Sequence, residues 1–306
     1  MFEVKIGSAP ISWDVLSFGG SKTSGLSFSQ MLDGIAAAGY EGTEISTNGF
    51  FPADAESLRA ELEKRNLTAA SSYVALPLGE EGALDSMLEQ VQTVGALLAN
   101  FNVSEIIIAG NTMPSRLEVA GSVAADGSEG WTDAEWKRAA NQLEAVATHC
   151  KEHFNLKTVF HHHTGTYVET PAEVERIMEM TEPELVGLCF DTGHYHYGGG
   201  DVVAATEQYA DRIGYLHIKD VWPEKLEKVR RERIHMREAW AMDIFAELGR
   251  GAIDFPAFFD LLRTQAYQGW MIVEQDSVGR SQRDPNWSPV ESARQSRDYL
   301  RKILQV

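Results

Sequence analysis

The sequence predicts an α/β protein of the (β/α)8 TIM barrel class, and three observations carry that prediction. Short apolar runs alternate with longer amphipathic segments almost from end to end, the order that builds a parallel sheet flanked by helices. The 306 residues suit one barrel, whose typical size is about 250 residues and rises with insertions. An open doubly wound sheet, the main competitor, usually carries a glycine-rich phosphate turn after its first strand, and SAPISW has none. A single domain is therefore expected over residues 1–306.

In chain order, strands are expected at residues 4–11, 42–46, 68–74, 105–109, 157–161, 185–191, 213–218 and 270–274. Several are β-branched runs without polar alternation, as in parallel strands covered on both faces. Helical periodicity fills the gaps at 28–38, 55–65, 83–98, 133–153, 171–180, 201–209, 255–265 and 292–303. Gly39 suits a C-cap for the first of these, and Thr170 with Pro171 suits an N-cap followed by a first helical position. Two stretches exceed ordinary loop length: about 111–130, with SVAADGSEG, and about 221–248, with KLEKVRRERIHMRE. Both follow strands, so a barrel places them over its catalytic face. The charged series reads as a solvated helix with i,i+4 pairs; its other reading is a lid that brings Arg233, His235 or Arg237 to a ligand.

Composition narrows the function. Hydrophobic residues make up 43% and charged residues 24%, an ordinary globular balance that can bury a large core without staples. The formal charge of −18 repels phosphate backbones and anionic membranes, which argues against nucleic-acid and membrane partners. Cys150 and Cys189 read as small core residues rather than a disulfide, which fits a reducing cytoplasm. No cationic stretch followed by an apolar one opens the chain, and no apolar run approaches the ~18 residues of a membrane span. A soluble, cytoplasmic protein is expected.

In such a barrel, polar residues at the carboxyl ends of strands read as functional. The second strand ends at Glu44, and the fifth at His161, His162 and His163. The sixth ends in FDTGHYH, with Asp191, His194 and His196. The seventh gives LHIKD, with His217, Lys219 and Asp220, and the eighth VEQD, with Glu274 and Asp276. Carboxylates and imidazoles thus converge on one mouth, and a mixed N/O set suits Mn²⁺, Co²⁺, Fe²⁺ or Zn²⁺ better than Ca²⁺. Strand alternation puts His161 and His163 on one face and His162 on the other, beneath a helix. Trp13, Tyr73, Tyr195 and Tyr197 lie at or just past strand ends, where rings can stack on a polyol; the tyrosines of YHYGGG read equally as loop packing. Arg280 reads as a polyol contact or as a solvated surface arginine.

The motifs DTGH, HIKD and VEQD resemble those of the xylose isomerase-like barrels, which include sugar isomerases, sugar epimerases and endonuclease IV. Within them the chain is most similar to the inosose dehydratase family of inositol catabolism, through IGSAPISWD, HHHTGTYVET, LGRGAIDFPAFFDLL and AYQGWMIVEQD. The resemblance covers nearly the whole chain and is strongest between residues 161 and 276. It implies a divalent metal, Mn²⁺ or Co²⁺ ahead of Mg²⁺, Fe²⁺ or Zn²⁺, held by four residues at strand ends. Family epimerases use Glu, Asp, His and Glu. Asp191, His217 and Glu274 fall on three of those positions, His161 stands where the first Glu is usual, and His163 is the alternative fourth ligand. His194 matches a substrate-contacting histidine of related epimerases.

The implied activity is dehydration of a keto-polyol of the scyllo-inosose (2-keto-myo-inositol) type. A base removes the proton α to the carbonyl, an acid protonates the departing β-hydroxyl, and a metal acting as a Lewis acid stabilises the enediolate. His194 and His163 suit the acid and base tasks, with Glu44 and Lys219 in reserve; Lys219 beside Asp220 reads equally as a structural ion pair. The alternatives are a ketose isomerase or epimerase on the same metal, β-elimination from a 3-keto-glycoside, and a non-catalytic sugar-binding barrel. A small polyol or sugar is the expected partner, and relatives suggest a homo-oligomer by analogy.

Overall fold

The apolar runs become β1 (Val4–Ser8), β2 (Gly42–Thr43), β3 (Thr68–Ala69), β4 (Tyr73–Leu76), β5 (Glu105–Gly110) and β6 (Lys157–His161), then β7 (Val186–Asp191), β8 (Ile213–Ile218), β9 (Asp220–Val221), β10 (Phe245–Ala246) and β11 (Gly269–Val273). The computed structural model describes residues 3–16 and 23–305. One sheet runs β3-β2-β1-β11-β8-β7-β6-β5-β4, with every neighbour parallel. Its two ends, β3 and β4, are halves of the one strand expected at 68–74. The residues between them still bond to both sides, Ile45 N donating to Ser71 O and Ile107 N to Ser72 O. The sheet therefore closes on itself as a barrel.

The first strand stops earlier than expected. Pro10 lacks the N–H a strand ladder needs, and Pro10–Trp13 turns as a 3-10 helix instead. Helix ends shift by a few residues but keep their caps. Ser27 and Gln30 form a capping box at the start of Phe28–Ala38, and Gly39 closes that helix with φ 87°, a conformation glycine adopts without strain. Thr170 caps Pro171–Glu179 in the same reciprocal way.

Strand alternation sorts the core into two layers. Ile107, Val159, Cys189, Tyr215 and Ile272 fill the barrel interior, while Phe160, Leu188, Phe190 and Leu216 face the helices. The two long segments do not hang free over the mouth. Leu117 and Ala120 of the first share a small core with Val221, Leu226, Val229, Met236 and Phe245 of the second. The charged series forms the helix Pro223–Glu232, amphipathic rather than fully solvated, since Leu226 and Val229 are buried. The antiparallel pair β9 and β10 ties this lid to the rim. Arg116 is fully buried beneath the first segment and makes a bidentate pair with Glu173 at 2.8 and 2.9 Å. Among the described residues, no helix is long and apolar enough to cross a membrane.

Candidate metal centre

Inward-facing residues at the ends of four strands meet at the barrel mouth. His161 ends β6, Asp191 ends β7, His217 lies near the end of β8, and Glu274 follows β11 directly. One ligand atom from each lies within 4.8 Å of the others, and all four residues are buried. Asp191 also caps the helix Thr192–Tyr197 by accepting from His194 N at 2.7 Å. That bond uses Oδ1, so Oδ2 points into the cluster, 3.5 Å from His161 Nε2 and 3.8 Å from His217 Nδ1. His217 Nε2 donates to Glu44 Oε1 at 2.8 Å, which leaves Nδ1 facing Glu274 Oε2 at 3.3 Å. A carboxylate that orients an imidazole through its other nitrogen is the usual support of a metal-binding histidine.

Buried polar atoms are normally hydrogen-bonded. Here both ring nitrogens of His161, Asp191 Oδ2 and His217 Nδ1 have no hydrogen-bond partner. Orphaned atoms of this kind, converging in an N₂O₂ set, fit a divalent transition metal.

Lys219 Nζ stands beside the cluster, 3.3 Å from Asp191, 3.0 Å from Glu274 and 2.9 Å from Asp276. It also donates to His194 Nε2 at 2.8 Å, while His194 Nδ1 meets the Thr164 hydroxyl. Of the two readings of Lys219, the structural pair with Asp220 does not form. Asp220 instead accepts from the backbone N–H groups of Val221, Gly249, Gly251 and Ile253 and anchors the lid.

Electrostatics follow from this crowding. Burial opposes the Lys219 ammonium, but Asp191, Asp276 and Glu274 outweigh it and hold its pKa well above the usual value. Burial likewise opposes charge on His217, and Cys189, Glu274 and Glu44 reverse that and raise it. Burial, His161 and Lys219 push His163 down to about 3, and burial, His163 and Lys219 lower His194. Both are neutral near pH 7. His163 Nδ1 bonds Thr164 O at 2.7 Å, so Nε2 keeps its lone pair.

A cavity of about 440 Å³ opens above the cluster, within the ~300–1,000 Å³ of small-molecule sites. Glu44, Tyr73, His161, His163, Glu274 and Asp276 face it. Tyr73, 37% exposed, presents its ring edge-on to His161. Of the lid residues, Arg237 and Trp240 line the cavity. Arg233 turns away to Glu129 at 3.2 Å, and His235 caps Met236–Ala241.

Several expected contacts are not brought together. Trp13 is wholly buried, donates to Ser8 Oγ at 3.0 Å, and packs where a Cβ on Gly34 would otherwise sit. Tyr195 is buried against His162 and Phe190. Its companion Tyr197 packs on Phe245 in the lid core. The YHY of YHYGGG belongs to the helix Thr192–Tyr197, which turns these rings inward, and the glycines follow as its cap and turn. Arg280 stacks on Trp287 and lies 3.4 Å from Glu247. His194 and Lys219 are buried behind the cavity wall rather than open to it. Asp276 was the site residue the strand-end pattern offered without a role; it follows Glu274 by two, on the same face. His162 packs outward against Phe190, as alternation requires, and accepts from Asp191 N at 3.3 Å.

The xylose isomerase-like TIM barrel description matches residues 32–303. An inosose dehydratase from Geobacillus kaustophilus is 34% identical, over 98% of this chain and 94% of its own length. A solved L-ribulose 3-epimerase superposes with a TM-score of 0.69 at 20% identity, over 99% of this chain and 95% of that one. The IOLI protein, crystallised with a bound zinc atom, gives 0.68 at 13% identity over 98% of both chains.

Proposed function

The chain belongs to the xylose isomerase-like TIM barrel family, and on that premise we propose that it is a metal-dependent dehydratase of a cyclic keto-polyol of the scyllo-inosose type. It is an enzyme resembling the inosose dehydratases, and its relatives and neighbours act as dehydratases and epimerases of small sugar-like compounds. The observation that carries the finer reading is the N₂O₂ cluster of His161, Asp191, His217 and Glu274 at the floor of the cavity, in which both His161 nitrogens, Asp191 Oδ2 and His217 Nδ1 lack hydrogen-bond partners. These four residues would hold a divalent ion, Mn²⁺ or Co²⁺ by ligand type, which would supply Lewis-acid chemistry at the cavity floor.

The chain's own residues supply the rest. Glu44 holds His217 in the orientation that leaves Nδ1 for the centre. His163 offers the Nε2 lone pair to the cavity and takes the proton α to the carbonyl. The Asp276–Lys219 pair, 2.9 Å apart, delivers a proton to the departing β-hydroxyl, which leaves as water. His194, accepting from Lys219 and fixed by Thr164, holds the ammonium in place. Tyr73, Arg237 and Trp240 shape the open side of the cavity around the ring and its hydroxyls.

The test is to quantify bound metal in the purified protein and then follow diketone formation from scyllo-inosose by ultraviolet absorbance, with and without a chelator. Chelator-sensitive turnover is expected. Bound metal without turnover would move the reading to epimerisation or elimination, and absence of both would remove it.

A further inference from the structure

Cys189 sits on the same strand face as Asp191, one inward-facing layer deeper in the barrel. We propose that Cys189, His161 and His217 form a second, sulfur-containing seat in this centre, which takes soft divalent ions such as Cd²⁺ or Zn²⁺. This rests on the reading that the two imidazoles ligate metal, but the seat puts a thiol in place of the two carboxylates.

The register supplies the geometry. β6 pairs with β7 so that His161 lies level with Cys189, and β7 pairs with β8 so that Asp191 lies level with His217. The His161 ring therefore starts in the thiol layer and reaches up to Asp191 Oδ2 at 3.5 Å. Ligand atoms of His161, Cys189 and His217 lie within 4.8 Å of one another, all buried. Neither His161 nitrogen has a hydrogen-bond partner, so the ring can serve either layer. Because both seats use the same two imidazoles, an ion in one excludes an ion from the other.

Ligand softness chooses between them. Two carboxylates suit Mn²⁺ and other hard ions, whereas a thiolate selects Zn²⁺ and Cd²⁺. On entry, an Sγ–metal bond forms, the S–H bond breaks, and its proton leaves to solvent, with no change in oxidation state. Cys150, the other thiol, lies on the buried face of the helix Asp133–Phe154, in the core between helices and sheet rather than in the barrel interior.

The test uses the full chain stripped of metal and titrated with Cd²⁺ alone, following the thiolate-to-cadmium charge-transfer absorption in the ultraviolet. The parent protein and Cys150→Ser should develop the band, saturating at one equivalent, and excess Mn²⁺ should bleach it. Cys189→Ser and Cys189→Ala should lose the band and bind Cd²⁺ with more than the ~10-fold weakening that a supporting residue costs, while Mn²⁺ retention is unchanged. Cadmium bound by the parent without a thiolate band overturns the proposal, as does a band that survives Cys189→Ala. The parent result decides even if a variant misfolds. A band in a protein that retains neither Mn²⁺ nor Co²⁺ would refute the dehydratase centre and leave this seat standing; Mn²⁺ or Co²⁺ retention without a band does the reverse.

Discussion

Glu44 lies outside the four-residue cluster, yet its removal should weaken metal binding by a predictable amount. Its carboxylate is 4% exposed and accepts from His217 Nε2 at 2.8 Å, across 173 residues of sequence. A hydrogen bond to a charged group is worth about 1.5–3 kcal/mol, and about 1.4 kcal/mol is a factor of ten. Glu44→Ala should therefore raise the Mn²⁺ dissociation constant by about 10–100-fold, the range seen for supporting carboxylates. Glu44→Gln keeps an acceptor without the charge, and a neutral bond of about 0.5–1.5 kcal/mol makes the expected loss about half as large on the free-energy scale. Titration of the metal-free protein with Mn²⁺, read by the loss of the free-ion paramagnetic resonance signal, measures both. Unchanged affinity in Glu44→Ala would show that His217 does not use Nδ1 toward the metal.

Asp191→Ala or Glu274→Ala should abolish metal retention and turnover together, measured by metal analysis and the diketone assay; a fully active, metal-free variant would refute the centre. Trp13→Ala should cost about 3–5 kcal/mol of stability, as for other buried aromatic truncations, and leave KM unchanged; denaturant unfolding with steady-state kinetics checks it, and a raised KM at unchanged stability would restore Trp13 as a substrate contact. Burial lifts the Glu169 carboxyl from 4.5 to about 7, against the Gly121 and Gly165 N–H groups and Arg116. A group raised on folding contributes stability that is complete below its unfolded value and lost as pH rises through about 7. The parent should therefore lose on the order of 3 kcal/mol relative to Glu169→Gln between pH 4.5 and 8. Urea unfolding of both at several pH values checks this, and a pH-independent difference would sink it.

The strand-end cluster of imidazoles and carboxylates was legible in the sequence because it depends on little beyond strand alternation. His161, Asp191, His217 and Glu274 each end or follow a strand, and a closed parallel barrel brings such ends to one mouth whatever the loops do. The same alternation separated His162 from its neighbours. Residues whose place depends on a turn were not legible in this way. Trp13 follows a proline that ends its strand, Tyr195 rides a helix that begins at Asp191, and Arg280 sits in a segment that binds Trp287 instead of the cavity. Lys219 was readable as a strand-end cation, but its three carboxylate partners come from two other strand ends. Cys189 reads as a core residue in one dimension; only register sets it level with His161. The sequence by itself determined the order of elements, the barrel and which polar residues stand at its strand ends, since those follow from local periodicity, and it left His161 and His163 as alternatives. Tertiary structure alone decided which side chains wall the cavity, because loop conformation and cross-strand register are set by packing between residues far apart in the chain.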